Sequence, residues 1–114
     1  MRIVIAGEVD FPPANRDRAI GEAKPLVEMA LAEPGCRHYA WSADPYDPGR
    51  VHVFEEWDSA EQLQAHFDGP AYRGMLAHLG RFSIINADTR KYRCDLAEPV
   101  YGADGVATAT FVTD

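Results

Sequence analysis

A chain of 114 residues has the length of one domain and buries roughly two-thirds of its unfolded surface, so it needs no disulfide or metal staple. Its hydrophobic share of 46% and charged share of 25% are those of a soluble globular protein. A net charge of −7, with one small basic cluster at Arg90-Lys91 and Arg93 and no run of roughly 20 apolar residues, argues against nucleic-acid and membrane partners.

Arg2–Val9 reads as a strand. Ile3, Ile5 and Val9 alternate with Val4 and Glu8, and apolar residues on both faces suit a central position. Gly7 marks either a bulge or a close approach. The opening MRIVIAGEV has no signal-peptide pattern, so a cytoplasmic, reducing location is the default expectation. Phe11-Pro12-Pro13 ends the strand. From Asn15 to about Glu33 the spacing predicts a helix buried along Ala19, Ile20, Ala23, Val27, Ala30 and Leu31. Pro25 removes the hydrogen bond to Gly21 and predicts a kink there. Pro34-Gly35 ends the helix.

Arg37–Asp44 predicts a second strand, with Tyr39, Trp41 and Ala43 on one face and His38, Ala40 and Ser42 on the other. The loop Asp44-Pro45-Tyr46-Asp47-Pro48-Gly49 is dense in turn formers and leads into a third strand, Arg50–Trp57. A turn centred near Asp47 sets Trp41 opposite Val53 and Tyr39 opposite Glu55, although a loop of this length does not itself fix the register. Tyr39, Trp41, Glu55 and Trp57 then share one face, more than a plain core requires. Ser59 and Gln62 have capping-box spacing at the start of a helix, Ala60–Phe67. Ala60, Leu63 and Phe67 form its apolar stripe, with His66 at the edge, where it can face the same space as Trp57.

Asp68-Gly69-Pro70 breaks the helix and starts another, reaching about Phe82, with Tyr72, Met75, Leu76, Leu79 and Phe82 on its apolar side. Gly80 is a candidate early stop. Asn86-Ala87-Asp88 reads as a turn and Arg90–Leu96 as a last strand at an edge. The division expected is a domain over residues 1–97 and an extension over 98–114. In the extension, Val106–Val112 reads as an extra strand of the same sheet, an arm onto a partner subunit, or a disordered end.

The order is β-α-β-β-α-β: an α+β, ferredoxin-like antiparallel sheet with helices on one face and strand order 4-1-3-2. That order puts Cys36 and Cys94, read as free thiols in no metal-ligand spacing, on opposite edges, which excludes an intrachain disulfide. Val4, Ala40 and Phe54 on the helix-free face need cover and point to a homodimer packed sheet on sheet.

Glu33-Pro34-Gly35-Cys36, Tyr39, Phe54-Glu55-Glu56-Trp57, His66 and Gly69-Pro70, in that order, resemble the antibiotic biosynthesis monooxygenase (ABM) domain family over residues 1–97. The resemblance implies a dimeric α+β barrel. For the family's enzymes it implies oxidation of a phenol, hydroquinone or similar small aromatic by O₂, often with no flavin, haem or metal. It carries over Glu55, Trp57 and His66 as motif positions, with Tyr39 beside them. The chain also departs from the pattern. Ala71 stands where many members have a second histidine. RIVIAGEV lacks the first-strand asparagine of the haem-degrading branch, so haem degradation is not expected. Val53 stands where one quinone-forming branch has asparagine.

Cofactor-free oxygenation is open to a substrate that supplies its own electrons. It needs a base to ionise the substrate, a donor for the oxyanion and a dry pocket. His66 suits the base, with Glu55 orienting it or acting as the base itself. Trp57 and Tyr39 can stack on a ring and hydrogen-bond an oxygen, and Trp41, Tyr72 and Met75 complete the expected substrate contacts. No metal and no cofactor are expected, and His38, His52 and His78 are read as structural. Against this stand structural readings: Trp57 as core, His66 as a cap, and Glu55 paired to Tyr39 or His66 for stability alone. The competing function is a non-catalytic dimeric barrel that binds a small ligand or serves a stress-related role.

Overall fold

The computed structural model describes residues 1–112, so Thr113 and Asp114 of the expected extension lie outside the described residues. Strands β1 (Arg2–Asp10), β2 (Cys36–Ala43), β3 (Arg50–Trp57) and β4 (Asn86–Cys94) form one antiparallel sheet in the order β2-β3-β1-β4. Helices α1 (Pro13–Gly21) and α2 (Lys24–Leu31) join β1 to β2. Helices α3 (Ala60–Phe67) and α4 (Pro70–Leu79), with a 3₁₀ turn at Gly80–Phe82, join β3 to β4. This is the expected ferredoxin-like α+β fold, and the sheet is open: one chain closes no barrel.

Three expectations are corrected. The long first helix is two helices, not one kinked helix. Pro25 sits in the first turn of α2, where its missing N–H has no intrahelical partner to lose, so the break at Glu22–Ala23 avoids the penalty of a mid-helix proline. The last strand starts at Asn86, not Arg90, and ends at Cys94, not Leu96. Asn86, Ala87 and Asp88 have turn propensity, but the full length of β1 offers them Asp10, Val9 and Glu8 as partners, and pairing overrides propensity. Val106–Val112 adds no strand to the sheet: the extension makes its own small hairpin, with Tyr101 bridged to Ala107.

The strand-to-strand loop shows what sets the hairpin register. The Asp44 carboxylate accepts the backbone N–H groups of Tyr46 and Asp47 at 2.8 Å each and pairs with His52 Nε2 at 2.7 Å. These partners, the Asp47 N–H first, hold its pKa well below the usual carboxylate range. Arg16 of α1 donates to the carbonyls of Asp44 and Asp47 at 3.1 and 2.7 Å, tying the loop to the helix layer. The register is the expected one, Trp41 opposite Val53 and Tyr39 opposite Glu55. Ser59 caps α3 as its spacing predicts, its Oγ accepting Gln62 N–H at 3.2 Å. His78 joins α4 to α1: Arg81 can only donate to Nδ1, so Nε2 carries the proton and donates to the Ala19 carbonyl at 2.8 Å.

Gly7 marks a close approach and not a bulge. β1 pairs in unbroken register with β3 and β4, and a Cβ at Gly7 would land on the Asp88 carbonyl oxygen and 2.6 Å from Thr89 Cα. Backbone cannot yield there as a side-chain tip can. Gly7→Ala is therefore expected to destabilise the fold by about 1–3 kcal/mol in urea titrations. Gly21→Ala, in the last turn of α1 with open space around it, is the control and leaves stability unchanged or slightly raised.

Candidate functional site

Alternation along β3 turns Val51, Val53, Glu55 and Trp57 towards the helices and His52 and Phe54 away from them. Glu55 is 6% exposed and Trp57 is fully buried. Because i and i+2 share a strand face, Trp57 Nε1 reaches back to donate to Glu55 Oε1 at 3.0 Å. Burial raises the pKa of Glu55. The Trp57 N–H and the nearby His66 pull it down in part, and the Glu33 carboxylate raises it further. Tyr39, paired across the sheet with Glu55, is pushed well above the usual phenol range by burial and by the charge of Glu55, so it remains a neutral hydroxyl.

His66 projects from α3 into the space behind Trp57. It is 2% exposed, and its ring lies 4.6 Å from the Trp57 ring and within 6 Å of Tyr39, Phe67 and Tyr72. Its Nδ1 meets Glu33 Oε1 at 2.5 Å. A carboxylate only accepts, so Nδ1 donates and Nε2 is the free ring nitrogen. Glu33 follows α2, just before the left-handed Gly35 that turns the chain into β2. Sequence reasoning met Glu33 only as a motif residue. The signal that could have found it is the need of an inward-facing His66 for a carboxylate or carbonyl on its second nitrogen.

Between the sheet and α3–α4 lies a cavity of about 280 Å³ with a mainly apolar wall, in which Glu55 is the one ionisable group apart from the Tyr72 phenol. Trp41, Tyr72 and Met75 line it with Glu55, as do Phe67, Ile84, Ala87 and Thr89. Trp41 Nε1 is buried and meets no partner at full hydrogen-bond geometry among the described residues; its neighbour is the Tyr39 hydroxyl, whose pKa the indole N–H draws down in part. The seven expected site residues therefore fall into two layers. Glu55, Trp41, Tyr72 and Met75 face the cavity. Trp57, His66 and Tyr39 stand behind it, joined to it through the Trp57–Glu55 bond and the Tyr72 ring. Ala87 and Thr89 escaped the sequence reading because Ala87 was assigned to a turn and Thr89 lay outside the expected strand. A larger depression at the sheet end, about 610 Å³, is lined by Arg2, Arg37, Asp58 and Cys94. It is open, and its arginines are already paired, Arg2 to Glu56 and Arg37 to Asp58. Among the described residues no three His, Cys, Asp or Glu side chains come together as metal ligands.

The sequence model of the family described as antibiotic biosynthesis monooxygenase matches residues 2–77. A candidate antibiotic biosynthesis monooxygenase of Chloroflexus aurantiacus superposes with a TM-score of 0.71 at 26% identity, over 87% of this chain and 98% of that one. A second candidate of the same name, from Deinococcus radiodurans, gives a TM-score of 0.77 at 19% identity, over 90% of this chain and 100% of that one, a likeness of fold alone. An uncharacterised protein of Synechocystis is 29% identical over 70 residues, 61% of this chain. The chain spans about half the length, 48%, of that curated relative.

The raised pKa of Glu55 has a consequence for stability. The folded protein holds this proton more tightly than the unfolded chain does. The stabilisation is complete below the ordinary glutamate pKa and is lost as pH rises through the raised one. Glu55→Gln keeps an oxygen to accept the Trp57 N–H and removes the charge. Its melting temperature is expected to exceed that of the wild type at neutral pH, with the two curves converging towards about pH 4. A Glu55→Gln protein that is less stable at every pH would show that the carboxylate is held as an ion.

Proposed function

The chain belongs to the antibiotic biosynthesis monooxygenase family, and from that membership we propose that it oxidises a small phenol, hydroquinone or related aromatic with O₂, without a flavin, haem or metal. The observation that carries this reading is the cavity wall: a mainly apolar pocket of about 280 Å³ whose one carboxyl group, Glu55, has a raised pKa. The volume sits at the small end of the roughly 300–1,000 Å³ usual for ligand pockets and suits one ring or two fused rings.

In this mechanism Glu55 is the base that contacts substrate. Its carboxylate takes the phenolic proton. The phenolate passes one electron to O₂. The ring radical and superoxide then join, forming a carbon–oxygen bond, and loss of water from the hydroperoxide leaves a quinone: one phenol and one O₂ give one quinone and one water. Phe67, Tyr72 and Met75 keep the reacting ring dry. Trp57 and His66 become positioning residues: Trp57 holds Glu55, and His66, fixed by Glu33, backs the Trp57 ring. The base first assigned to His66 thus passes to Glu55, since Glu55 lines the mainly apolar cavity between sheet and helices, while His66 lines a separate hollow of about 260 Å³ with Glu33, Gln62 and Pro70. The same proposal has the protein act in the cytoplasm, as a homodimer packed on the face that carries Val4, Ala40 and Phe54. In support, Phe54 lies between Ala40 and Ala6 across the strands and is 42% exposed. No helix of the described residues is long and apolar enough to cross a membrane.

A second reading, a ligand-binding domain without chemistry, draws on the filled interior around Trp57, which is fully buried with the His66 ring 4.6 Å away. Oxygen uptake by metal-stripped protein against a panel of hydroquinones and naphthols separates the two. Uptake above autoxidation is expected for the wild type, with a loss of at least about 100-fold in Glu55→Gln and a smaller loss in His66→Ala. The acid limb of the rate is expected above the ordinary glutamate range. Full activity in Glu55→Gln with loss in His66→Ala would return the base to the histidine. No uptake across the panel, with tight binding of the same compounds, would establish the binding domain.

A further inference from the structure

One cross-strand row carries the cavity carboxyl to the edge of the sheet. Ile5 of β1 pairs with Glu55 of β3 on one side and with Lys91 of β4 on the other. Directly paired residues share a face, so Lys91 stands on the helix-facing side of the sheet with Glu55. Alternation along β4 then makes Ala87, Thr89, Lys91 and Arg93 its inward set. Ala87 and Thr89 line the cavity. Lys91 and Arg93 continue the same row past the cavity wall.

The helices leave this row uncovered. Asn86–Arg93 are all exposed, and so are Leu76 and Ile84, at 55% and 42%, although both line the cavity. The cavity therefore opens onto the inner face of β4. The charges on the two faces of this strand differ in their partners. Outward-facing Arg90 is paired with Asp88 at 3.2 Å. Inward-facing Lys91 and Arg93 have no ion pair and no side-chain hydrogen bond among the described residues. Two unpaired cations thus stand together at the mouth of a cavity in a chain of net charge −7, against the field of the protein as a whole.

We propose that the cavity takes an aromatic carboxylate, its ring against the apolar wall and its carboxylate on Lys91 and Arg93. This names the substrate class of the reading above and rests on it: the hydroxyl meets Glu55 at one end of the row, and the carboxylate meets β4 at the other. Neighbouring strands lie about 4.8 Å apart, so the backbones of Glu55 and Lys91 are about 10 Å apart. An aromatic ring with its two oxygen groups at opposite ends fits that interval. The planar fork of Arg93 matches a carboxylate, and Lys91 adds a point charge on a flexible stem. The same pair of cations raises the local concentration of such an anion over an otherwise acidic surface. A neutral phenol would gain nothing from either residue. Charged side chains on an edge strand also discourage pairing with another sheet. Edge protection by itself makes ligand affinity indifferent to both residues, and that separates the two roles.

The test is calorimetric titration of the full-length protein without oxygen, using 6-hydroxy-2-naphthoate and 2-naphthol, one ring system with and without a carboxylate. The naphthoate is expected to bind about tenfold more tightly at neutral pH, a preference that shrinks as salt is raised. Lys91→Gln with Arg93→Gln should abolish the preference and leave 2-naphthol binding unchanged. Arg90→Gln, on the other face, should preserve it. Equal affinities in the wild type, no binding of either compound, or a preference that survives the double substitution would overturn the proposal. Oxygen uptake with the same two compounds keeps the chemistry separate. A carboxylate preference without uptake would sink the oxygenase reading and leave the binding inference standing, and uptake without the preference would do the reverse.

Discussion

A carboxylate faces the layer between sheet and helices, and much of the interior is arranged around that fact. An ion left there without partners would cost several kcal/mol, and the fold supplies Glu55 with a direct donor in Trp57 Nε1. That donor must itself be held. The indole is packed on one side by the His66 ring, and His66 is oriented by Glu33. The result is a pile running from a partly exposed carboxylate, Glu33, through an imidazole and an indole to a buried carboxyl, Glu55. The carboxylates at its two ends repel, one of the reasons the inner one binds its proton tightly. Each member gains its orientation from the next, so the four are expected to couple in double-mutant cycles and not to add.

The backbone makes the pile possible with few devices. β3 lies inside the sheet, between β2 and β1, so its inward face is buried along its length. The hairpin loop would tolerate several registers, but Arg16 and the Asp44 turn settle one, and with it the pairing of Tyr39 to Glu55. Ser59 starts α3 at the one position that brings His66 back over Trp57 two turns later. A slip of one residue in β3 would send Glu55 to the helix-free face and expose Trp57 with it.

Most of this was legible locally. Period-2 alternation identified the inward set on β2 and β3, the capping box marked the start of α3, and the order of elements specified the sheet. What escaped depended on distant partners. Asn86-Ala87-Asp88 has the composition of a turn and becomes a strand only because β1 is long enough to pair with it, so two cavity residues were invisible. Pro25 reads as a kink inside a long helix, yet a break two residues earlier makes it an ordinary first-turn proline. Glu33 gives no periodic signal, since its role is set by a histidine that packs above it from another helix. The three-aromatic face was recognised, but sequence does not say which aromatic faces a void and which fills one.

That last distinction separates a core from a site. Trp57 and Trp41 sit on the same face of adjacent strands, and each carries one N–H. The N–H of Trp57 is satisfied by protein, and its ring is packed on the side where His66 lies. The Trp41 ring stands in the wall of a cavity that also holds a carboxyl of raised pKa, and its N–H, shut away from water, has the Tyr39 hydroxyl as its neighbour. Buried N–H groups are nearly always paired, because leaving one unpaired costs about 1–3 kcal/mol. A core selected for stability alone would have put glutamine or leucine in place of Glu55. Keeping that carboxyl beside an apolar void suits a ligand that gives it a proton, as a phenol does.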